Sequence, residues 1–310
     1  MIGKKDFLAS LIISLAVTIL TFACQSENST STASLNNKNP SNQKSPLRLV
    51  TASPSITEIV FTLGLGGKII GVSDFSVYPP DAKNKPRIGG LFNPNKEILT
   101  ALQPDLVITQ GKHESLSKFC RKQNIDLLTV NMDTLEDVFS SIQIIGNKLN
   151  KSKKAARVVD KLKSDLVEIR KKTRHLTPKK VFITLGHTPG DLTGLMTTTS
   201  GTFLHEIIEI AGGINIFADL HGLYPHISKE ALLMRQPEII IEIFPEGFSV
   251  ENKKMLKKDW ERLDILTAVR SGNIHYLTDD YLLIPGMRIP LTAKKLAEIF
   301  HPGVFTTSED

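Results

Sequence analysis

The residues of this 310-residue chain that could do chemistry are scattered, not clustered. Its eight histidines are His113, His175, His187, His205, His221, His226, His275 and His301, and no two have the i, i+4 spacing that sets a pair of imidazoles on one helix face. His221 and His226 lie in a segment read as a loop and could meet a metal, but an ordinary surface loop is the better reading of them. The phosphate-cradling Gly-x-x-x-x-Gly-Lys-[Ser/Thr], the nucleophile turn Gly-x-Ser-x-Gly and the zinc motif His-Glu-x-x-His are all missing. Gly64, Gly66, Gly67 and Gly71 follow a helical pattern and not a strand. They read as a helix C-cap and turn, not as a dinucleotide fingerprint. Triads assemble from distant positions, so an enzyme stays open on this ground. A metal-dependent enzyme or metal-ion binder using His113, His187, His221 and His226 is one rival class, and a purely structural surface adhesin is another.

Aromatic rings and polar groups gather instead where short apolar runs end. Ser53-Pro54-Ser55 follows one run, and Asp74 to Pro80, with Phe75 and Tyr78, follows the next. Arg87 to Pro94 contains Phe92, and His187 follows Gly186 after a later run. Leu223-Tyr224-Pro225-His226 and Asp279-Asp280-Tyr281 complete the set. The elements that must position these groups are strands predicted at Leu47–Thr51, Ile69–Ser73, Asp105–Thr109, Asp126–Val130, Val181–Leu185, Glu238–Ile243 and Asn273–Leu277. Their Val, Ile and Leu content suits strands covered on both faces. Helical patterns lie between them, so the fold class is α/β with mostly parallel sheets.

Two features divide the chain. Lys151 to Thr173 lacks Gly and Pro and places apolar residues at 155, 158, 159, 162, 166 and 169, one stripe of a helix roughly 35 Å long. An internal repeat flanks it: residues 96–109 and 229–242 align without a gap and share six of fourteen residues, including Lys-Glu at the start and Gln-Pro before the strand. A weaker echo pairs Thr57-Glu58-Ile59-Val60 and Gly64 with His205-Glu206-Ile207-Ile208 and Gly212. The expectation is two lobes of related fold, 47–150 and 178–302, joined by a helix over 151–177, with a tail at 303–310. Ligands of parallel sheets sit beyond the carboxyl ends of the strands, so the aromatic loops should face each other across a cleft.

The N-terminus reads as an export signal over residues 1–23: Lys4 and Lys5, then an apolar run from Phe7 to Ala23. Ala23 before Cys24 suggests a lipidation site, and residues 24–46, rich in Ser, Asn, Thr and Lys, read as a flexible tether. Thr21 and Phe22 depart from the usual lipobox, and an uncleaved membrane anchor is the competing reading. With Cys24 lipidated, Cys120 has no partner for a disulfide and reads as a small buried hydrophobe. The net charge of +6 is spread among acids, with basic clusters at 151–154 and 170–174 in one helical segment, read as solvated, and nothing resembles a nucleic-acid arm.

Taken together, the motifs resemble the class III periplasmic binding proteins of ABC importers, which serve cobalamin, haem and ferric siderophores, and most closely the cobalamin-binding branch. The resemblance runs from about Leu49 to Pro302. It is carried by Ser53-Pro54-Ser55-Ile56-Thr57-Glu58, Leu63-Gly64-Leu65, Gly71-Val72-Ser73-Asp74 and Tyr78-Pro79-Pro80. Gly89-Gly90, Asn93-Pro94-Asn95-Lys96-Glu97 and Gln103-Pro104-Asp105 continue it, followed by Gly212-Gly213-Ile214-Asn215, Ile227-Ser228-Lys229-Glu230 and Pro285-Gly286-Met287-Arg288. The resemblance implies two Rossmann-like lobes joined by one long helix, in an exported, lipid-anchored monomer at the periplasmic face. It implies no enzymatic step and no cofactor of its own; the ligand would be a corrinoid or, alternatively, haem or another iron chelate. It also implies docking onto an ABC permease dimer in the inner membrane through Glu97 and Glu230, which match the family's docking glutamates. The candidate ligand-binding residues are Ser53, Phe75, Tyr78, Phe92, His187, Tyr224, Tyr281 and Arg288. Cobalamin binders often line the cleft with Trp; here the single Trp260 sits in a charged segment and Tyr224 stands where such a Trp is expected. Haem would want an axial Tyr or His, for which Tyr78, His187, Tyr224 and His226 are available, and Arg288 could pair with a ligand acid.

Overall fold

The computed structural model describes residues 47–91, 93–244 and 250–306. The signal segment, Cys24, the tether to residue 46, Phe92 and the tail beyond 306 lie outside the described residues. The described residues form one compact unit.

Two four-stranded sheets build it, every pairing parallel. In the first, β1 (Leu49–Thr51), β2 (Ile69–Val72), β3 (Leu106–Gln110) and β4 (Asp126–Val130) lie in the order β2-β1-β3-β4. In the second, β5 (Lys179–Thr184), β6 (Gly213–Asn215), β7 (Ile239–Ile243) and β8 (Ile274–Leu277) repeat that order as β6-β5-β7-β8. All of β1 and β7 is buried, as expected of strands covered by helices on both faces. Each of the seven predicted strands is present. The eighth, β6, escaped prediction because Gly and Asn are poor strand formers and only three residues pair.

The helices are α1 (Pro54–Thr62), α2 (Lys96–Leu102), α3 (Glu114–Lys122), α4 (Leu135–Lys148), α5 (Ser152–Thr173), α6 (Phe203–Ile210), α7 (Lys229–Arg235), α8 (Val250–Glu261), α9 (Thr267–Arg270) and α10 (Ile289–Phe300). The internal repeat is structural to the level of single bonds. Asn95 and Ser228 cap α2 and α7 with their side chains, and both seven-residue helices end on a left-handed Gln, Gln103 at φ 44° and Gln236 at φ 45°. The acids that follow do equivalent work: Asp105 accepts from the Arg48 N–H at 2.7 Å, and Glu238 from the Lys180 N–H at 2.9 Å. The weaker echo holds too, with Ser53 capping α1, Thr202 capping α6, and Gly64 and Gly212 just beyond them at φ +81° and +83°.

Helix α5, 22 residues long, connects the two sheets in sequence and packs on α4, α6 and α10. Ala155, Leu162, Leu166 and Ile169 form its buried stripe, and one continuous apolar core runs from β1, α1 and α4 through that stripe to α6 and α10. Each buried Leu or Ile contributes about 2 kcal/mol, so the stripe holds the helix to both halves. Cys120 is buried among Val50, Ile88 and Leu116.

Candidate functional site

The loops beyond β1, β2, β5, β7 and β8 meet between the two sheets and leave a cleft of about 520 Å³, within the range of small-molecule sites. Pro54, Asp74, Phe75 and Val77 line one wall; Leu185, Ile243, Phe244, Leu283 and Ile284 line the other, with Asp279 and Asp280 at the edge. A recess of about 830 Å³ opens on the first lobe alone, from Asp74 and Gly89 to Glu97 and Leu116. It shares Asp74 with the cleft but has only one lobe for walls.

The Phe75 loop is held from beneath by hydroxyls. Thr51 bonds Thr57 at 2.8 Å, Thr57 bonds Ser76 at 3.0 Å, and Ser76 bonds Ser73 at 2.8 Å, all buried. The Arg87 guanidinium donates to the carbonyls of Ser73 and Ser76. Asp74 accepts from the Gly89 N–H at 3.0 Å, and Gly89 has φ +93° with no room for a Cβ against the Asn93 carbonyl. With its neighbours tied down, Phe75 projects into the cleft with 69% of its surface exposed.

The other expected contacts are placed differently. Ser53 is a helix cap: its hydroxyl accepts from the Ile56 N–H and the residue is 1% exposed, which leaves no surface for a ligand. His187 is not a cleft residue, since its ring is fully buried between Glu242, which bonds Nδ1, and Asp259, 3.3 Å from Nε2. Trp260 completes that cluster by donating to Glu242 at 2.7 Å. Burial alone would lower the His187 pKa, but its hydrogen bonds and charge pairing with Glu242 and Asp259 outweigh this and hold it above the ordinary value. Trp260 is therefore core, packed edge-on against Phe182 and His187.

Arg288 is not free for a ligand acid. Its guanidinium is bonded to Glu58 at 2.7, 3.1 and 3.2 Å and to Asp280 at 2.8 Å, so the two carboxylates engage all three of its nitrogens. Burial works to lower the Arg288 pKa, and Asp280 and Glu58 raise it overall. Tyr78 lies on that guanidinium, 4.2 Å from ring centre to Cζ, at the rim of the cleft and 44% exposed. Tyr281 lines an outer groove with His275, Leu291 and Lys295, its ring centre 5.5 Å from the Arg288 Cζ. Tyr224 is half-buried; burial, and then the Asp133 charge, push its hydroxyl up to about 12. Of the described aromatic candidates, Phe75 stands in the cleft and Tyr78 at its rim. The apolar wall from Leu283, Ile284 and Phe244 was missed. Its signal was the run Leu282-Leu283-Ile284, which follows the Asp279-Asp280 loop and belongs to no strand or helix.

Glu97 and Glu230 are exposed in the first turns of α2 and α7. Hydrogen bonds from its own backbone N–H and from Ser228 hold the Glu230 carboxyl below the usual range. Among the described residues no group of three His, Cys, Asp or Glu is arranged to hold a metal, and no helix is long and apolar enough to cross a membrane.

Residues 49–281 match the model of the periplasmic binding protein family. The ABC transporter substrate-binding lipoprotein YvrC of Bacillus subtilis is 31% identical over 272 residues, covering 85% of this chain and 82% of its own. Among solved structures, the periplasmic vitamin B12 binding protein BtuF of Vibrio cholerae superposes with TM-score 0.68 at 25% identity, over 82% of this chain and 96% of that one. The apo periplasmic heme-binding protein RhuT from Roseiflexus shares the fold, with TM-score 0.72 at 24% identity over 83% of this chain and 99% of that one. Two matched parallel sheets, a long helix joining them, an interlobe cleft and these likenesses lead to one conclusion: the chain belongs to the periplasmic binding protein family, the exported solute-binding proteins of transporters.

Proposed function

We propose that this protein captures cobalamin or a related corrinoid in the interlobe cleft and hands it to the permease of an ABC importer. The observation that carries the reading is the character of the lining. It is apolar, with Phe75 as an exposed ring, and its charged members are Asp74, Asp279 and Asp280. Among the described residues the lining holds no Lys, Arg or His, and the cations that touch its acids are committed, Arg288 to Glu58 and Asp280, Lys295 to Asp279. A corrin is a broad apolar ring fringed with amides, which acids accept as hydrogen-bond partners. Haem brings two propionates, and among the described residues this lining offers them no Lys, Arg or His of its own. Affinity on this reading comes from apolar burial and no bond is made or broken.

Delivery follows from the paired glutamates. Glu97 and Glu230 present equivalent carboxylates on the two halves of the repeat, suited to arginines of a two-fold permease dimer. Lipidation at Cys24 would keep the protein near that partner. Haem is the second reading, favoured by one recess at the rim where Tyr78, an axial-ligand type, stands beside Lys83, a propionate partner. Titration of the purified protein with hydroxocobalamin and with hemin, followed by absorbance and calorimetry, separates the two. Saturable cobalamin binding without hemin binding is expected; tight hemin binding with no response to cobalamin would overturn the assignment.

A further inference from the structure

The internal repeat places Glu58 of α1 and Glu206 of α6 at equivalent positions. Both side chains leave their own lobe, and both end at the start of the helix that follows the last strand of the other. Glu206 Oε2 accepts from the N–H of Leu135, first residue of α4, at 2.6 Å. Glu58, 2% exposed, takes the guanidinium of Arg288, the residue that precedes the first turn of α10. Helix α4 follows β4 and α10 follows β8, so one contact is the counterpart of the other across the repeat. They differ in what they hold: one a backbone donor, the other an arginine that also binds Asp280 and carries the Tyr78 ring.

We infer that Glu58 and Glu206 are a matched pair of cross-lobe clamps that set the width of the cleft, with Glu58 acting on the ligand side through Arg288 and Tyr78. Helix α5 and the continuous apolar core hold the lobes together, and the Phe203 N–H donates to the Asp133 carbonyl across the same seam. Two further ties, one reaching in each direction, fix their relative orientation. Opening the cleft breaks both: buried Glu58 loses its cation and half-buried Glu206 a backbone donor, so the lobes resist spontaneous opening and yield to a force applied from outside. Glu58, Glu206 and Arg288 are thus positioning residues. The inference holds whichever ligand the cleft takes.

Amide hydrogen exchange read by NMR on the full chain without ligand tests it, and its outcome is independent of the ligand assignment. The Leu135 amide reports the Glu206 clamp directly, and the Phe203 amide, which donates to the Asp133 carbonyl, reports the same seam. Neither touches Glu58. In Glu58→Gln, exchange at Leu135 and Phe203 should rise at least about tenfold, the scale of a lost charge-assisted hydrogen bond, while amides of β3 and β7 keep their protection. Unchanged protection at Leu135 would show two independent local contacts and overturn the inference. If Glu58→Gln loses protection throughout, Arg288→Lys is read in its place. Its single point charge cannot reproduce the fork, so exchange at Leu135 should rise by a smaller factor; no rise there overturns the inference equally.

Discussion

His187 shows how a residue suited to ligand chemistry is diverted to structure. Its loop follows β5 at the cleft end of the sheet, where a binding histidine is expected, yet the ring turns inward to Glu242 on β7 and Asp259 on α8. Asp259 also accepts from the Gly190 N–H and faces Arg262 at 3.2 Å, so one buried cluster fastens loop and helix together. A pKa raised in the folded state stabilises the fold fully below the unfolded value near 6.5 and loses that contribution as pH rises through the folded value. The melting temperature should therefore fall as pH is raised from 6 through the folded value, and His187→Gln should flatten that fall; equal slopes in the two proteins would contradict the role. The sequence carried the residue types at the site but not their directions. Arg288 was legible as a candidate cation, whereas the two carboxylates that occupy it lie 230 and 8 positions away, and nothing local announces the first.

At the scale of elements the sequence was far more legible. Short Val/Ile/Leu runs marked seven strands, most plainly the wholly buried β1 and β7, and α5 was visible from its stripe. The repeat was legible because each copy carries a helix stop, Gln-Pro, directly before an acid that ties two strands together. What remained hidden was the apolar run at 282–284, since a loop that packs by shape has no period to read. The same repeat places Glu97 and Glu230 on short, rigidly capped helices. Reversing both, with Glu97→Arg and Glu230→Arg, should abolish ligand uptake in cells and leave the purified protein's ligand affinity and melting temperature within error. Normal uptake by the double variant would remove the docking assignment.

The whole molecule is two copies of one topology turned so that their loop-bearing edges share a cleft, with a continuous core beneath and α5 along it. On the proposed reading, apolar walls from both lobes and a rim of acids hold a large neutral or cationic ring with no catalytic step. The central claim is that the ligand lies between the lobes against Phe75. Phe75 is exposed and its loop is held by the backbone and hydroxyl bonds beneath it, so its ring can be removed without a core cavity. The direct measurement is calorimetric titration of hydroxocobalamin into the wild-type protein and into Phe75→Ala. The account predicts one site per chain, weakened about tenfold in the variant, the scale of one lost aromatic contact, with an unchanged melting temperature. Equal affinity in the two proteins would contradict it.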